Sequence, residues 1–268
     1  ILITTDLTAE TGAVGLNEFA EDGPGGYTLT IRPSGGARVI SGSGAASNGL
    51  INLNGTDRLV IDGSLTPGGT TRDLTITNNQ TGTSTVIWFK TIGTNGCNNN
   101  VIRNTIINGA AIPNSTTTAG ILTGSSTTIG NDGSAPQNNN TIQNNWIYRV
   151  QNSLYVRGGT AANIDEGWTI IGNTLGSNDA NDNNIFRGML IGNANNFIVA
   201  NNTVNGVRST TTTTAAMSGI QVGLLATNGV VANNAIRNIK NVSGSGTGAF
   251  GISVIATSAA SNVSITNN

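Results

Sequence analysis

The stretch Asn195-Asn196-Phe197-Ile198-Val199-Ala200-Asn201-Asn202-Thr203-Val204 decides the fold. It reads as an aliphatic residue, a spacer, one or two Asn, a small residue and a second aliphatic residue. The same order returns from Leu74 to the last residue. Setting the second Asn in register gives Asn79, Asn104, Asn145, Asn173, Asn202, Asn234 and Asn268. Three positions before them stand Ile76, Val101, Ile142, Ile170, Val199, Val231 and Ile265.

Between these copies lies a second kind of segment, at 49–54, 85–90, 120–123, 153–157, 188–191, 219–224 and 251–255. The last five start 33, 35, 31 and 32 residues apart. A period near 30 with short β-type segments and Gly/Asn corners fits one coil of a parallel β-helix. Ankyrin and tetratricopeptide arrays have similar periods but need Ala, Leu and charges at helical spacing. This chain supplies β-branched residues and Asn instead. The expected fold is therefore all-β: a single-stranded parallel β-helix of about eight rungs, roughly 40 Å long at the usual strand spacing. Right-handed winding is expected because parallel crossovers overwhelmingly take that hand. Asn suits the corners because it tolerates left-handed backbone, and its amide can bond the Asn of the next rung.

Residues 1–48 read as an N-terminal cap and first turn, and 49–268 as the repeats, continuing beyond 268. The acids Glu10, Glu18, Glu21 and Asp22 suggest a short helix over 8–21. Polar runs at 114–119, 125–139, 177–184 and 209–216 lack apolar phase and read as loops thrown out from corners.

Composition narrows the chemistry. The 268 residues include 40 Asn, 37 Gly, 12 basic and 13 acidic residues, and no His. Without His there is no Ser-His-Asp or Cys-His nucleophile system and no imidazole metal ligand. A net charge of −1 gives no reason to expect nucleic acid as a partner. No stretch reaches the roughly 20 apolar residues of a membrane helix, so direct membrane insertion is not expected. Cys97 stands alone, which excludes an internal disulfide and reads as a buried thiol.

Asp57, Arg58 and Asp62 crowd one strand and are the candidate catalytic group, the kind of carboxylate–arginine cluster a polysaccharide lyase or hydrolase needs. The alternative is a capped corner with a surface ion pair. Asp165 and Glu166 are adjacent, so a strand would point them to opposite faces. Asp179 and Asp182, among Asn neighbours, are candidate Ca²⁺ ligands, although the loop lacks the Gly and terminal Glu of a calcium loop. No other cofactor is expected. Thr runs at 116–118 and 210–214 raise an ice-binding face but fall outside repeat register. Trp146 and Phe197 sit beside Asn and could alternate outwards to stack on sugars; packing is the alternative.

Three stretches carry a family resemblance: Asp6-Leu7-Thr8-Ala9-Glu10-Thr11-Gly12, Tyr27-Thr28-Leu29-Thr30-Ile31-Arg32-Pro33-Ser34-Gly35, and Leu53-Asn54-Gly55-Thr56-Asp57-Arg58-Leu59-Val60-Ile61-Asp62-Gly63. With the Asn repeats they resemble the parallel β-helix repeat modules of very large secreted proteins of Bacteroidetes and related Gram-negative bacteria. The resemblance implies a multi-domain exoprotein, secreted or held at the cell surface, acting as an adhesin shaft or surface filament subunit. Partners would be further copies, other surface proteins or glycans. It brings no catalytic motif. The alternative is a carbohydrate-binding or carbohydrate-degrading β-helix protein.

Overall fold

The computed structural model describes residues 1–19, 25–110, 117–209, 216–242, 248–255 and 261–268. The Asn-containing segments from Val101 to Asn241 break into two strands at their Asn, and the segments between them form a third. The first sheet has nine strands: Leu2–Ile3, Leu29–Pro33, Leu59–Asp62, Val101–Arg103, Thr141–Gln143, Thr169–Ile171, Ile198–Ala200, Val230–Ala232 and Ser264–Thr266. The second has eight: Leu7–Glu10, Arg38–Gly42, Leu74–Asn78, Thr105–Asn108, Trp146–Tyr148, Thr174–Leu175, Thr203–Ser209 and Ala235–Asn241. The third also has eight: Leu16–Asn17, Gly49–Asn54, Ser84–Lys90, Thr117–Gly124, Asn152–Arg157, Arg187–Gly192, Met217–Val222 and Ala249–Val254. The chain passes through the three in the same order, coil after coil, and their strands pair in parallel. Among the described residues there is no α-helix; Ala161–Asn163 makes one 3-10 turn. The fold is a parallel β-helix.

A short strand cannot bury its own apolar face, so each relies on the strands stacked above and below. In the first sheet Ile61, Ile102, Ile142, Ile170, Val199 and Val231 pair in one column and are all buried. The second sheet adds Ile76, Ile107, Ile147, Leu175 and Val204, and the third adds Ile87, Ile121, Leu154, Met189 and Ile220. The three columns meet as one core. The recurring Gly at the start of third-sheet strands has a packing cause. A Cβ on Gly188 would lie 2.4 Å from Val204, and one on Gly219 2.4 Å from Ile236. The absent side chain lets the second sheet press against the third.

The Asn pairs divide their work at the corner between the first and second sheets. The leading residue takes left-handed backbone: Asn104, Asn144, Gly172, Asn201, Asn233 and Asn267 all have φ between 51° and 66°. The following residue turns its amide inward. Asn145, Asn173, Asn202, Asn234 and Asn268 form a continuous ladder; from Asn173 onward each Oδ1 accepts from the backbone N–H and the Nδ2 of the Asn before it.

Two of the residues placed in that ladder by sequence lie elsewhere. Asn104 belongs to the left-handed column, and Thr105 occupies the ladder slot, its N–H and Oγ1 both donating to Asn145. The column residue of that coil is accordingly Ile102, not Val101. Asn79 follows a second-sheet strand and is exposed, with its N–H on the Gly42 carbonyl at 2.7 Å. The helix expected over 8–21 is also absent from the described part of that segment. Leu7–Glu10 and Leu16–Asn17 are strands paired to Arg38–Gly42 and Gly49–Asn54. A short isolated helix bears a nucleation cost, whereas a strand here completes an existing sheet. The described strands before Gly49 thus lie in the same three sheets as the later ones.

Candidate functional site

The candidate group Asp57, Arg58 and Asp62 does not converge. Asp57 and Arg58 stand at the return corner, where the third sheet passes to the first sheet of the next coil. Asp62 ends the strand Leu59–Asp62, next to the Asn corner. Asp57 accepts the Asn98 N–H at 2.5 Å, and Arg58 takes the left-handed slot (φ 55°) with its Nε on the Tyr27 carbonyl. Both bond to neighbouring segments at the corner.

Asp62 is 2 % exposed and fully engaged. Its Oδ2 accepts from Arg103 Nε at 3.0 Å and lies 2.8 Å from Nη2; its Oδ1 accepts from Asn104 Nδ2 at 2.8 Å and from the Ser64 N–H and hydroxyl. Burial alone would raise this carboxyl; the bonds from Asn104, Ser64 and Arg103 outweigh it and hold the pKa below the usual range. Such a group remains ionised and is held by donors, which suits neither a general acid nor a nucleophile. Arg103 was not singled out by sequence. Its signal is register: it is the Cα partner of Asp62 on the next coil.

Around Asp62 the residues 63–73 lie along the Asn corner. Arg72 donates from Nε and Nη2 to the carbonyl and Oδ1 of Asn144, both at 2.9 Å. Asn144 donates onward to Thr70 and Asn104, and Asn104 to Gly69. A groove of about 480 Å³ runs beside this network, lined by residues 68–70, Arg103, Asn104, Gln143, Asn144, Ile171, Gly172 and Asn201. Its lining comes from five successive coils. Its chemistry is that of amides and one guanidinium edge, suited to a hydroxyl-rich ligand.

The remaining candidates are placed as follows. Asp165 is buried and Glu166 exposed, on opposite faces of their strand. Asp165 Oδ1 accepts the Gln137 N–H at 2.8 Å, while its Oδ2 and Gln137 Oε1 are buried without a partner. Burial pushes its pKa up to about 8, against the bonds from Gln137 and Trp168. Asp179 Oδ1 caps the Asn181 N–H, and Asp182 pairs with Arg149, so the two proposed Ca²⁺ ligands face different partners. Among the described residues no three Asp, Glu or Cys side chains gather to hold a metal. Cys97 is buried with its thiol pushed up to about 12 by desolvation.

Trp146 does turn outward, half-buried, its ring 4.5 Å from that of Tyr148 and its Nε1 donating to Gly176. Phe197 is buried instead. It follows Trp168 in the return-corner column, where Gly229 leaves room for its ring; a Cβ there would lie 2.0 Å away. Of the Thr runs, Thr117 and Thr118 belong to a third-sheet strand, with Thr117 buried. Thr116 and residues 210–214 lie outside the described residues.

No family model and no curated protein matches the sequence. Two solved structures do match. The Dettilon tailspike protein aligns at a TM-score of 0.53 and 15% identity over 98% of this chain, which spans 40% of the tailspike chain. An alginate lyase from Paenibacillus sp. aligns at a TM-score of 0.36 and 15% identity over 94% of this chain and 91% of its own. The likeness to the tailspike is one of fold.

Proposed function

We propose that the chain is a non-enzymatic extracellular module, the shaft of a surface adhesin or the subunit of a surface filament of the secreted-repeat kind described above. The observation that carries this reading is the use to which the acids are put. Asp57 and Asp62 each accept donors from the next coil, and Asp165 and Asp182 accept from neighbouring segments of the helix. The side chains that would do acid–base work on a sugar instead join one coil to another. Because register is kept from sheet to sheet, added coils lengthen the rod without altering its section.

A second reading, binding of a neutral or acidic glycan, is favoured by the amide-lined groove at the Asn corner. Electron microscopy of the native full-length material on cells tests the first. Long surface fibres are expected. Discrete soluble particles that also release sugar fragments from a polysaccharide panel would overturn it.

A further inference from the structure

Arg208 and Lys240 are direct partners across adjacent strands of the second sheet, in a chain with only 12 basic residues. Their neighbours Val207 and Ile239 form the next rung, so the two cations lie together. Like charges directly opposite one another in a sheet repel, and among the described residues neither has an ion-pair partner. The Nε of Arg208 is shut away from solvent and bonds to nothing. A buried guanidinium N–H without an acceptor is costly, which is a reason to look for one.

The two side chains line a hollow of about 240 Å³ with Asn178, Asn183, Asn238 and Gly206. No acid lines it. The acids of the adjoining loop are engaged elsewhere, Asp182 with Arg149 and Asp179 with the Asn181 N–H. The amides are held in place: Asn238 donates to Asn178 and Asn205 at 2.9 and 2.8 Å. The hollow is below the roughly 300–1,000 Å³ of sites for drug-sized ligands, so its scale is that of one sugar ring.

We infer that this hollow binds one acidic sugar residue of a polysaccharide, its carboxylate or sulfate ester on Arg208 and Lys240 and its hydroxyls on the Asn amides. A guanidinium fork matches an oxyanion in two bonds, the ammonium adds a point charge, and primary amides pair with hydroxyls. The hollow lies on the outer face of the second sheet and reaches its last strand, Ala235–Asn241. The inference goes beyond the shaft reading, and either stands if the other falls.

The test is calorimetric titration of the whole chain with polygalacturonate, dextran sulfate, neutral dextran and inorganic sulfate. At least one acidic polymer binds and neutral dextran does not. Lys240→Ala and Arg208→Gln each weaken that binding about tenfold or more, the scale of a charge-assisted contact. Lys240 is exposed, so its variant keeps the parent's urea midpoint. Arg237→Ala, also exposed but outside the hollow, changes affinity less than about twofold, as expected of a screened surface charge. A preference between the two acidic polymers assigns the acidic group. The proposal is overturned if neither acidic polymer binds, if neutral dextran binds equally, or if Lys240→Ala binds as the parent does. Equal losses in Lys240→Ala and Arg237→Ala would reduce it to bulk charge, and sulfate matching the polymers would mean an adventitious ion only.

Discussion

Asn173 Oδ1 accepts two hydrogen bonds from Asn145, one from its backbone N–H at 2.9 Å and one from its Nδ2 at 3.1 Å. The Nδ2 of Asn173 passes the arrangement on to Asn202 and also donates to the Ile142 carbonyl. All of these groups are buried. Asn173→Ala would strip partners from a backbone N–H, an amide and a carbonyl, and is expected to lower stability by about 3 kcal/mol. Urea unfolding measures this. Asn201→Gly, in the left-handed slot one residue before a ladder Asn, should change little, because Gly accepts that conformation without strain. Similar losses at both positions would remove the division of labour between the paired Asn.

Asp62→Asn tests the carboxylate that ties Arg103 and Asn104 to the preceding coil. It replaces an acceptor of several N–H groups with an amide that must present N–H to some of them. The expected loss is about 2 kcal/mol, reduced from the buried-pair value because Arg103 is partly exposed. Its pKa is depressed on folding, so its contribution is present above the ordinary carboxylate pKa and fades as pH falls through the folded value. The parent should therefore lose stability toward acid more steeply than the variant. Parallel acid profiles would remove this role.

Asp165 runs the other way. Its folded pKa of about 8 lies above the unfolded value of about 3.9. Its contribution is complete below about pH 4, declines as pH rises toward 8, and stays low beyond. Asp165→Asn, which retains a neutral side chain, should flatten stability between about pH 4 and 8 and stabilise the alkaline end. Chemical unfolding across that range, with no difference between variant and parent, would show that the carboxyl titrates normally.

Gly219→Val should be among the most damaging changes in the third sheet. The first added carbon would lie 2.4 Å from Ile236 and 2.6 Å from the Gly251 carbonyl oxygen. Overpacking of this kind costs about 1–3 kcal/mol, and thermal unfolding should record a lower midpoint. Pairing it with Ile236→Ala makes room at the first contact and is expected to recover part of the loss.

The solenoid was legible because Ile142, Ile170, Val199 and Val231 recur at the same distance from their Asn, and each recurrence is one lap of the chain. Asn79, Val101 and Asn104 were misread because sequence spacing counts residues rather than laps. The coil that starts at Ile61 carries residues 63–73 at its Asn corner, and in the next coil, which starts at Ile102, the ladder slot belongs to Thr105, which shares the donors but not the name. The site chemistry was harder to read. Asp62 finds Arg103 at 41 residues' separation, and Arg208 finds Lys240 only through strand pairing. Neither pair follows a motif, and both follow from knowing which residue lies above which. Trp146 faces out at the start of a second-sheet strand and Phe197 faces in at the return corner, although both follow an Asn.

Register fixes one more property. Val60 pairs with Val101, and Val101 with Thr141, so residues 101–140 make one whole lap. Deleting all of it would set Thr141 beside Val60 in the relation Val101 now holds. Laps of unequal length keep this register, since their differences fall between strands; a deletion that slipped a strand by one residue would turn its buried side chains outward. The reach of such a rod is therefore quantised, changing in whole laps of about 4.8 Å and by no smaller step.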